Sequence, residues 1–179
     1  MDKNRIIRLS ILKKRWALSP SAKTQLDHII YLHALQSIKL KNPKKYIALY
    51  WPIENEVDTI ALIHELLQQH HKVCIPYIKH DKMVFKPITS IHFEYEYWKS
   101  MRQPRIRSIV RPDDIELMVL PTIGFNKSNQ RMGYGFHYYN NYLHTTKNIY
   151  TIGLSYDFQR NDEFITTSYD KMLDKVVTN

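Results

Sequence analysis

Glycine is scarce in this chain, with four in 179 residues. No GxGxxG dinucleotide turn and no GxxxxGK[ST] phosphate loop is present, and the GxSxG elbow of a serine hydrolase is absent too. Cysteine occurs once, as Cys74. That excludes an internal disulfide framework and fits a reducing cytoplasm, the expected location. Cys74 lies in an apolar segment with no evident base, so it reads as a small core residue. No apolar run approaches the ~20 residues of a membrane span. The basic stretch Met1 to Arg15 has no apolar signal core, so neither secretion nor a membrane partner is expected. His28/His33, His70-His71 and His144 lack metal-ligand spacing.

What is present describes an ordinary globular chain: 44% hydrophobic and 24% charged residues. The length suits one domain, residues 1–179, around one core. The formal net charge is +9. Such a balance draws anions: nucleic acid, a membrane surface or polyanionic small molecules. The basic residues are spread out, densest at Lys13-Lys14-Arg15, Lys44-Lys45 and Arg102/Arg105/Arg107/Arg111. A solvated basic surface is the plain reading of most of them.

Periodicity predicts a helix over Lys3–Ala17, with Ile7, Ile11, Leu12 and Trp16 inward. Ser19-Pro20 restarts a helix that runs to about Ile38 and is broken by Asn42-Pro43. Short apolar strands follow at Tyr46–Trp51, Val73–Tyr77, Met83–Ile88, Glu116–Leu120, Tyr150–Tyr156 and Met172–Val177. Helices are predicted over Asp58–His71 and Tyr138–Thr146. His92–Ser108, aromatic and basic without a period, reads as irregular. Strands alternating with helices imply an α/β domain of three layers, a mostly parallel sheet with helices on both faces. Ligands in such sheets sit at the carboxyl ends of strands. There the prolines Pro52, Pro76 and Pro121 are expected to end the strands and release three loops toward one cleft.

Two of the four glycines, Gly133 and Gly135, stand directly behind Arg131 and ahead of a helix. Main-chain N–H groups of such a loop can gather an anion, and Arg131 can hold a phosphate bidentately. In P-I-E-N-E-V-D-T, Glu54 and Glu56 either bind a ring N–H or steer a proton, or else complement the dipole of the helix that Asp58 caps. Tyr138 and Tyr139 are core or a stacking wall for a flat ligand. Asp170 is a turn residue or a metal-facing carboxylate. The residues by themselves describe a phosphate-handling α/β protein.

Their order and spacing resemble the 5-formyltetrahydrofolate cyclo-ligase family, also called methenyltetrahydrofolate synthetases, over nearly the whole chain. The resemblance lies in I-A-L-Y-W-P-I-E-N-E-V-D-T, V-C-I-P-Y, the run D-I-E-L-M-V-L-P-T-I-G-F-N-K-S-N-Q-R-M-G-Y-G-F-H-Y-Y-N-N-Y-L, I-G-L-S-Y-D-F-Q and Y-D-K-M-L-D-K-V-V-T. It implies the cyclo-ligase, NagB-RpiA-like, fold. It also implies ATP- and Mg²⁺-dependent conversion of 5-formyltetrahydrofolate, with or without a polyglutamate tail, to 5,10-methenyltetrahydrofolate, ADP and phosphate by a monomer. In that reaction the formyl oxygen attacks the γ-phosphate, N10 closes the ring and phosphate leaves. The site then needs positive charge and N–H donors around the phosphoryl group.

By the same resemblance Lys3, Arg8, Arg131, Met132, Gly133, Tyr134, Gly135, Phe136, His137 and Tyr138 serve ATP. Trp51, Glu56, Tyr138 and Tyr139 face the folate, with Glu56, Arg131 and Tyr139 at the chemistry. Asp170 and Asn140 lie by Mg²⁺. Lys3 stands five residues before Arg8, one more than the family's Lys-x-x-x-Arg, and Asn4 takes that register. The signature loop departs from the family at Phe136, at His137 in place of a third glycine, at Asn140 in place of Asp and at Asn141 in place of Arg. A β-carbon at His137 is expected to resist a positive φ, and Asn140 lacks charge for Mg²⁺. Weakened use of ATP–Mg²⁺ on an intact fold is therefore expected. Two alternatives are a homologue that binds folate or nucleotide with little turnover, and a basic RNA-binding protein using His92–Arg111. No nucleic-acid motif supports the latter, so no specific nucleic-acid partner is expected.

Overall fold

The computed structural model describes residues 2–179. In chain order the chain forms α1 (Lys3–Trp16), α2 (Pro20–Lys41), β1 (Tyr46–Ala48), α3 (Ile60–Gln68), β2 (Val73–Lys79), β3 (Lys82–Ile88), β4 (Tyr95–Trp98) and β5 (Met101–Pro104). It continues through β6 (Ile115–Pro121), β7 (Gly124–Phe125), β8 (Arg131–Met132), α4 (Tyr138–His144), β9 (Tyr150–Leu154) and β10 (Lys175–Val177). Six strands make one sheet in the order β10-β9-β6-β1-β2-β3. Every pairing in it is parallel except the β2–β3 hairpin. From β1 the chain first builds outward through β2 and β3. It then returns to β1's other side as β6 and continues to β9 and β10. The loops leaving β1 and β6 therefore part from one another, which opens a crevice at this switch point.

Alternation along the strands divides the core in two. Ile47, Leu117, Val119, Ile152 and Leu154 pack under α2 and α3, against Ile30, Ala34, Ile38, Leu62, Ile63 and Leu66. Ala48, Cys74, Met118 and Leu120 face the other way, against Tyr142 and Leu143 of α4 and Met101 of β5. Helices thus cover both faces of a mostly parallel sheet, and a β-hairpin shares the second face. Each fully buried Leu or Ile contributes on the order of 2 kcal/mol.

Local chemistry explains where elements stop. Ser19 Oγ accepts the Ala22 N–H, with Pro20 at the first helical position. α2 runs to Lys41, past the expected end at Ile38, and Asn42 then turns left-handed at φ 46° ahead of Pro43. In α1 the buried stripe is Ile7, Ile11 and Arg15, while Trp16 is 59% exposed. The inward position expected for Trp16 falls to Arg15, which is eight residues from Ile7 and so on the same face. Pro76 lies inside β2 rather than at its end, opposite Phe85. The Phe85 carbonyl accepts from Val110 on the far edge of β3. The Pro76–Phe85 pair is therefore of the non-hydrogen-bonded kind, so the missing N–H breaks no β2–β3 bond; it faces β1, whose ladder with β2 ends at the Leu49 N–H on the Cys74 carbonyl. His92–Ser108, expected to be irregular, contains the β4–β5 hairpin.

One buried side chain ties the exits of β6 and β9 together. Gln159, 1% exposed, donates to the Thr122 and Ile123 carbonyls at 2.8 and 2.6 Å and accepts from the Tyr156 N–H at 2.9 Å. Gln159→Leu keeps the bulk and strands three buried backbone groups. It should lower stability by about 2–4 kcal/mol, read as a shift in urea midpoint at unchanged slope.

Candidate functional site

The loop after β1 folds on itself before α3 begins. Glu56 N–H donates to the Ile53 carbonyl, and Glu56 Oε2 accepts the Ile53 N–H at 3.0 Å. Tyr50 Oη donates to the Val57 carbonyl at 2.8 Å, and Thr59 Oγ1 donates to the Tyr50 carbonyl at 2.7 Å. Asp58 Oδ1 accepts the Ile60 N–H. These bonds delay α3 to Ile60, two residues later than expected, and turn Glu56 into the protein at 5% exposure. Glu56 is thus not a solvated charge at a helix N-terminus. Burial pushes its carboxyl up to about 7, against the pull of the Ile53 N–H and of Arg15 and Arg131.

The segment after β6 supplies the opposite wall. β7 and β8 pair as a small ribbon, so Arg131 stands on a strand. Its Nη1 donates to the Pro121 carbonyl at 2.8 Å and its Nη2 to Asn140 Oδ1 at 3.5 Å. The guanidinium lies over the Tyr139 ring, 5.5 Å from its centroid. A β-carbon at residue 133 would fall 2.9 Å from Nη1, so Gly133 leaves room for the guanidinium. Gly135 has φ +95°, a conformation for which L side chains are poorly suited. Arg8 reaches over from α1 and donates to the Gly133 carbonyl at 3.1 Å. Burial lowers the Arg131 pKa, while Tyr139, Asp170 and Glu56 favour its charge.

His137 departs from expectation. Its backbone sits at φ 57°, ψ 8°, ahead of the first residue of α4. The β-carbon therefore does not prevent the left-handed conformation, in which His, like Asn and Asp, is over-represented. The first turn of α4 has no side-chain cap. Asn140 bridges two charges: its Oδ1 faces Arg131, and its Nδ2 donates to Asp170 Oδ1 at 2.9 Å. Asp170 Oδ2 accepts the Thr167 N–H and Oγ1.

These walls enclose a cavity of about 530 Å³. It is lined by Trp51, Glu56, Arg8, Arg131, Met132, Gly133, Tyr134, Gly135, Phe136, His137, Tyr138, Tyr139, Asn140 and Asp170. Lys3 is outside the lining, 3.7 Å from Glu163, and Asn4 lines the cavity instead. Met132 is 5% exposed and packs its side chain with Ile7, Ile11 and Ile123. The sequence reading missed the third wall, from β2 and the β4–β5 hairpin: Ile78, Trp98, Lys99 and Met101. Trp98 meets Tyr138 edge-on at 5.6 Å. Lys99 Nζ lies 4.0 Å from the Phe136 ring centroid. Tyr50, Phe164 and Thr167 were missed as well.

Among the described residues no group of three or more His, Cys, Asp or Glu is placed to hold a metal ion. Asp170 offers one carboxylate beside the neutral Asn140. That donor set suits a Mg²⁺ ion whose remaining ligands are phosphate oxygens and water. Among the described residues no helix is long and apolar enough to cross a membrane.

Residues 1–179 match the profile of the 5-formyltetrahydrofolate cyclo-ligase family. A 5-formyltetrahydrofolate cyclo-ligase of Mycoplasma pneumoniae is 34% identical over 182 residues, covering 100% of this chain and 99% of the relative. The structure of a 5,10-methenyltetrahydrofolate synthetase from Mycoplasma pneumoniae superposes with a TM-score of 0.82 at 30% identity, covering 98% of each chain. The NMR structure of the Aquifex aeolicus 5,10-methenyltetrahydrofolate synthetase gives a TM-score of 0.86 at 25% identity, covering 98% of this chain and 89% of that one.

Glu56 sets a pH dependence. An acid whose folded pKa is raised contributes stability that is present below its unfolded pKa and lost as pH rises through the folded one. Relative to wild type, Glu56→Gln should therefore gain stability from about pH 4.5 to about pH 7. The gain should be roughly 1.4 kcal/mol per pH unit and level off above that window. Urea unfolding of both proteins across pH 4 to 9 on the order of unit steps measures it.

Proposed function

The chain belongs to the 5-formyltetrahydrofolate cyclo-ligase family, and from that premise we propose that its cavity carries out the ATP- and Mg²⁺-dependent closure of 5-formyltetrahydrofolate to 5,10-methenyltetrahydrofolate. The observation that supports this most is the opposition of two walls in one cavity. Arg8, Arg131 and the Gly133–Gly135 loop stand on one side, and Trp51 with the buried Glu56 on the other. Nucleotide with its metal supplies the phosphoryl group that activates the formyl oxygen.

The chain's own residues do the rest. Arg131 is held by Pro121 and Asn140, so its charge needs no reorganisation as negative charge develops beside it. Arg8 and the uncapped first turn of α4 add donors on the same wall. Glu56, ionising near neutrality, accepts hydrogen bonds from the pterin edge, and Trp51 and Tyr139 flank the ring. Tyr138 and Trp98, packed edge-on beside the cavity, would limit the water that reaches the activated formyl group. Asp170, with Asn140 beside it, would hold the metal that accompanies the nucleotide. A monomer is the proposed working unit.

Asn140 favours the narrower reading that metal–nucleotide use is weak. The conformational objection at His137 is gone, and only the missing charge remains. Wild type should form the methenyl product from 5-formyltetrahydrofolate, ATP and Mg²⁺, followed by absorbance. Arg131→Met should cost about 100-fold in kcat/KM or more. Asn140→Asp should lower the Mg²⁺·ATP requirement about tenfold, and His137→Gly should change it little. Asn140→Asp also sets two carboxylates side by side, so its Tm should fall without Mg²⁺ and recover with it. Absence of product together with absence of ATP binding by calorimetry would overturn the proposed reaction.

A further inference from the structure

Arg15 is the one fully buried arginine named among the described residues, at 2% exposure, and it lies outside the cavity lining. Its Nε donates to the Asn55 carbonyl at 2.9 Å, and Asn55 Nδ2 donates back to the Arg15 carbonyl at 3.3 Å. The last turn of α1 is thereby fastened to the turn that carries Glu56. Arg15 Nη1 and Nη2 are buried with no well-formed hydrogen bond, and the nearest polar group is the equally buried Tyr134 hydroxyl, a neutral group that Arg15 favours in its ionised form but that carries no charge to cancel the guanidinium's. Among the described residues Arg15 makes no ion pair within 4.0 Å. A guanidinium buried without a partner is costly to keep. In a region of low polarizability, however, its charge reaches further than a solvated one.

We propose that Arg15 is a positioning residue for Glu56: it pins the 53–56 turn to α1 and directs an unneutralised positive charge at the carboxylate from behind the cavity wall. The groups facing Glu56 are few. Glu54 on its own loop opposes its ionisation, and Arg131 on β8 favours it. Tyr50, Tyr134 and Tyr139 surround it as neutral hydroxyls whose own ionisation Glu56 disfavours. Arg15 is the cation with the larger effect of the two. It thus sustains the ionised form in a place where burial opposes it, without touching anything bound in the cavity. That Glu56 serves a pterin rests on the reaction proposed above. That Arg15 serves Glu56 does not.

The test follows the Glu56 carboxyl itself, by carbon-13 NMR of glutamate-labelled protein without folate or nucleotide, Glu56→Gln supplying the assignment. Wild type should titrate near 7, R15Q about one unit higher and R15K close to wild type. Asn55→Ala, which removes only the Asn55 side-chain bond, should leave the midpoint in place. An unchanged midpoint in R15Q overturns the proposal. Where R15Q is too unstable for long spectra, urea unfolding of wild type, R15Q, E56Q and the double variant decides. Above neutral pH the two residues should couple by about tenfold in the unfolding constant, and below pH ~5 the coupling should vanish. Coupling that ignores pH marks Arg15 as packing alone. Wild type that titrates as stated but fails to bind 5-formyltetrahydrofolate would sink the reaction and leave this inference standing.

Discussion

Parallel pairing of β1 with β6 is the constraint on which the rest of the molecule depends. It places two strands that are far apart in sequence side by side, with their carboxyl ends pointing the same way and their following loops diverging. Ile47 lies beside Leu117 and Ala48 beside Met118. This register fixes the turn that buries Glu56 against the segment that carries Arg131. The flanking helices drive the pairing by burying both faces of the strands, and the cavity is what the geometry leaves between the loops.

Desolvation then sets the chemistry. An exposed carboxylate and an exposed guanidinium at these positions would each be screened by water and interact weakly. Here burial raises the affinity of Glu56 for its proton and lowers that of Arg131. Neither is neutralised by a direct partner of opposite charge. Arg131 is held by a main-chain carbonyl and an amide, and Glu56 by a main-chain N–H. Both charges therefore remain available to a ligand. Asn140 tempers the corner, because an amide there separates Arg131 from Asp170 without competing as an anion.

Much of this was legible in the residues. Val73–Tyr77 and Glu116–Leu120 are apolar runs too short for buried helices, and Ser19-Pro20 starts a helix by a local hydrogen bond that any context permits. The hairpin β4–β5 was not legible. Its turn, Lys99-Ser100, lacks the Gly or Asn that usually marks one, and Lys99 takes φ 52° regardless. Phe93, Tyr95 and Tyr97 alternate with Glu94 and Glu96, but the pattern is inverted: Tyr95 and Tyr97 face solvent, while Glu96 and Trp98 are half-buried. Arg15 was hidden in a basic cluster, since composition assigns a Lys-Lys-Arg run to solvent and only helical pitch turns the third residue inward. The order of motifs located the cavity walls well, whereas Lys3 and Asn4 differ by one residue, a distinction that α1 decides by rotating one of them away.

The third wall differs in kind from the other two. The β4–β5 ribbon shares no main-chain ladder with the large sheet. It is moored by side chains: Gln103 to the backbone of Ile78, Lys86 to the Pro104 carbonyl and Tyr77 to Glu96. A two-stranded ribbon is marginal by itself, so this wall depends on those bonds and on Met101, buried in the core beneath it, rather than on a ladder. The firmness of the cavity wall consequently differs from one side to the other. By Glu56 the wall is fixed by main-chain bonds, whereas by Trp98 and Lys99 it is only as firm as Gln103, Lys86 and Tyr77 make it.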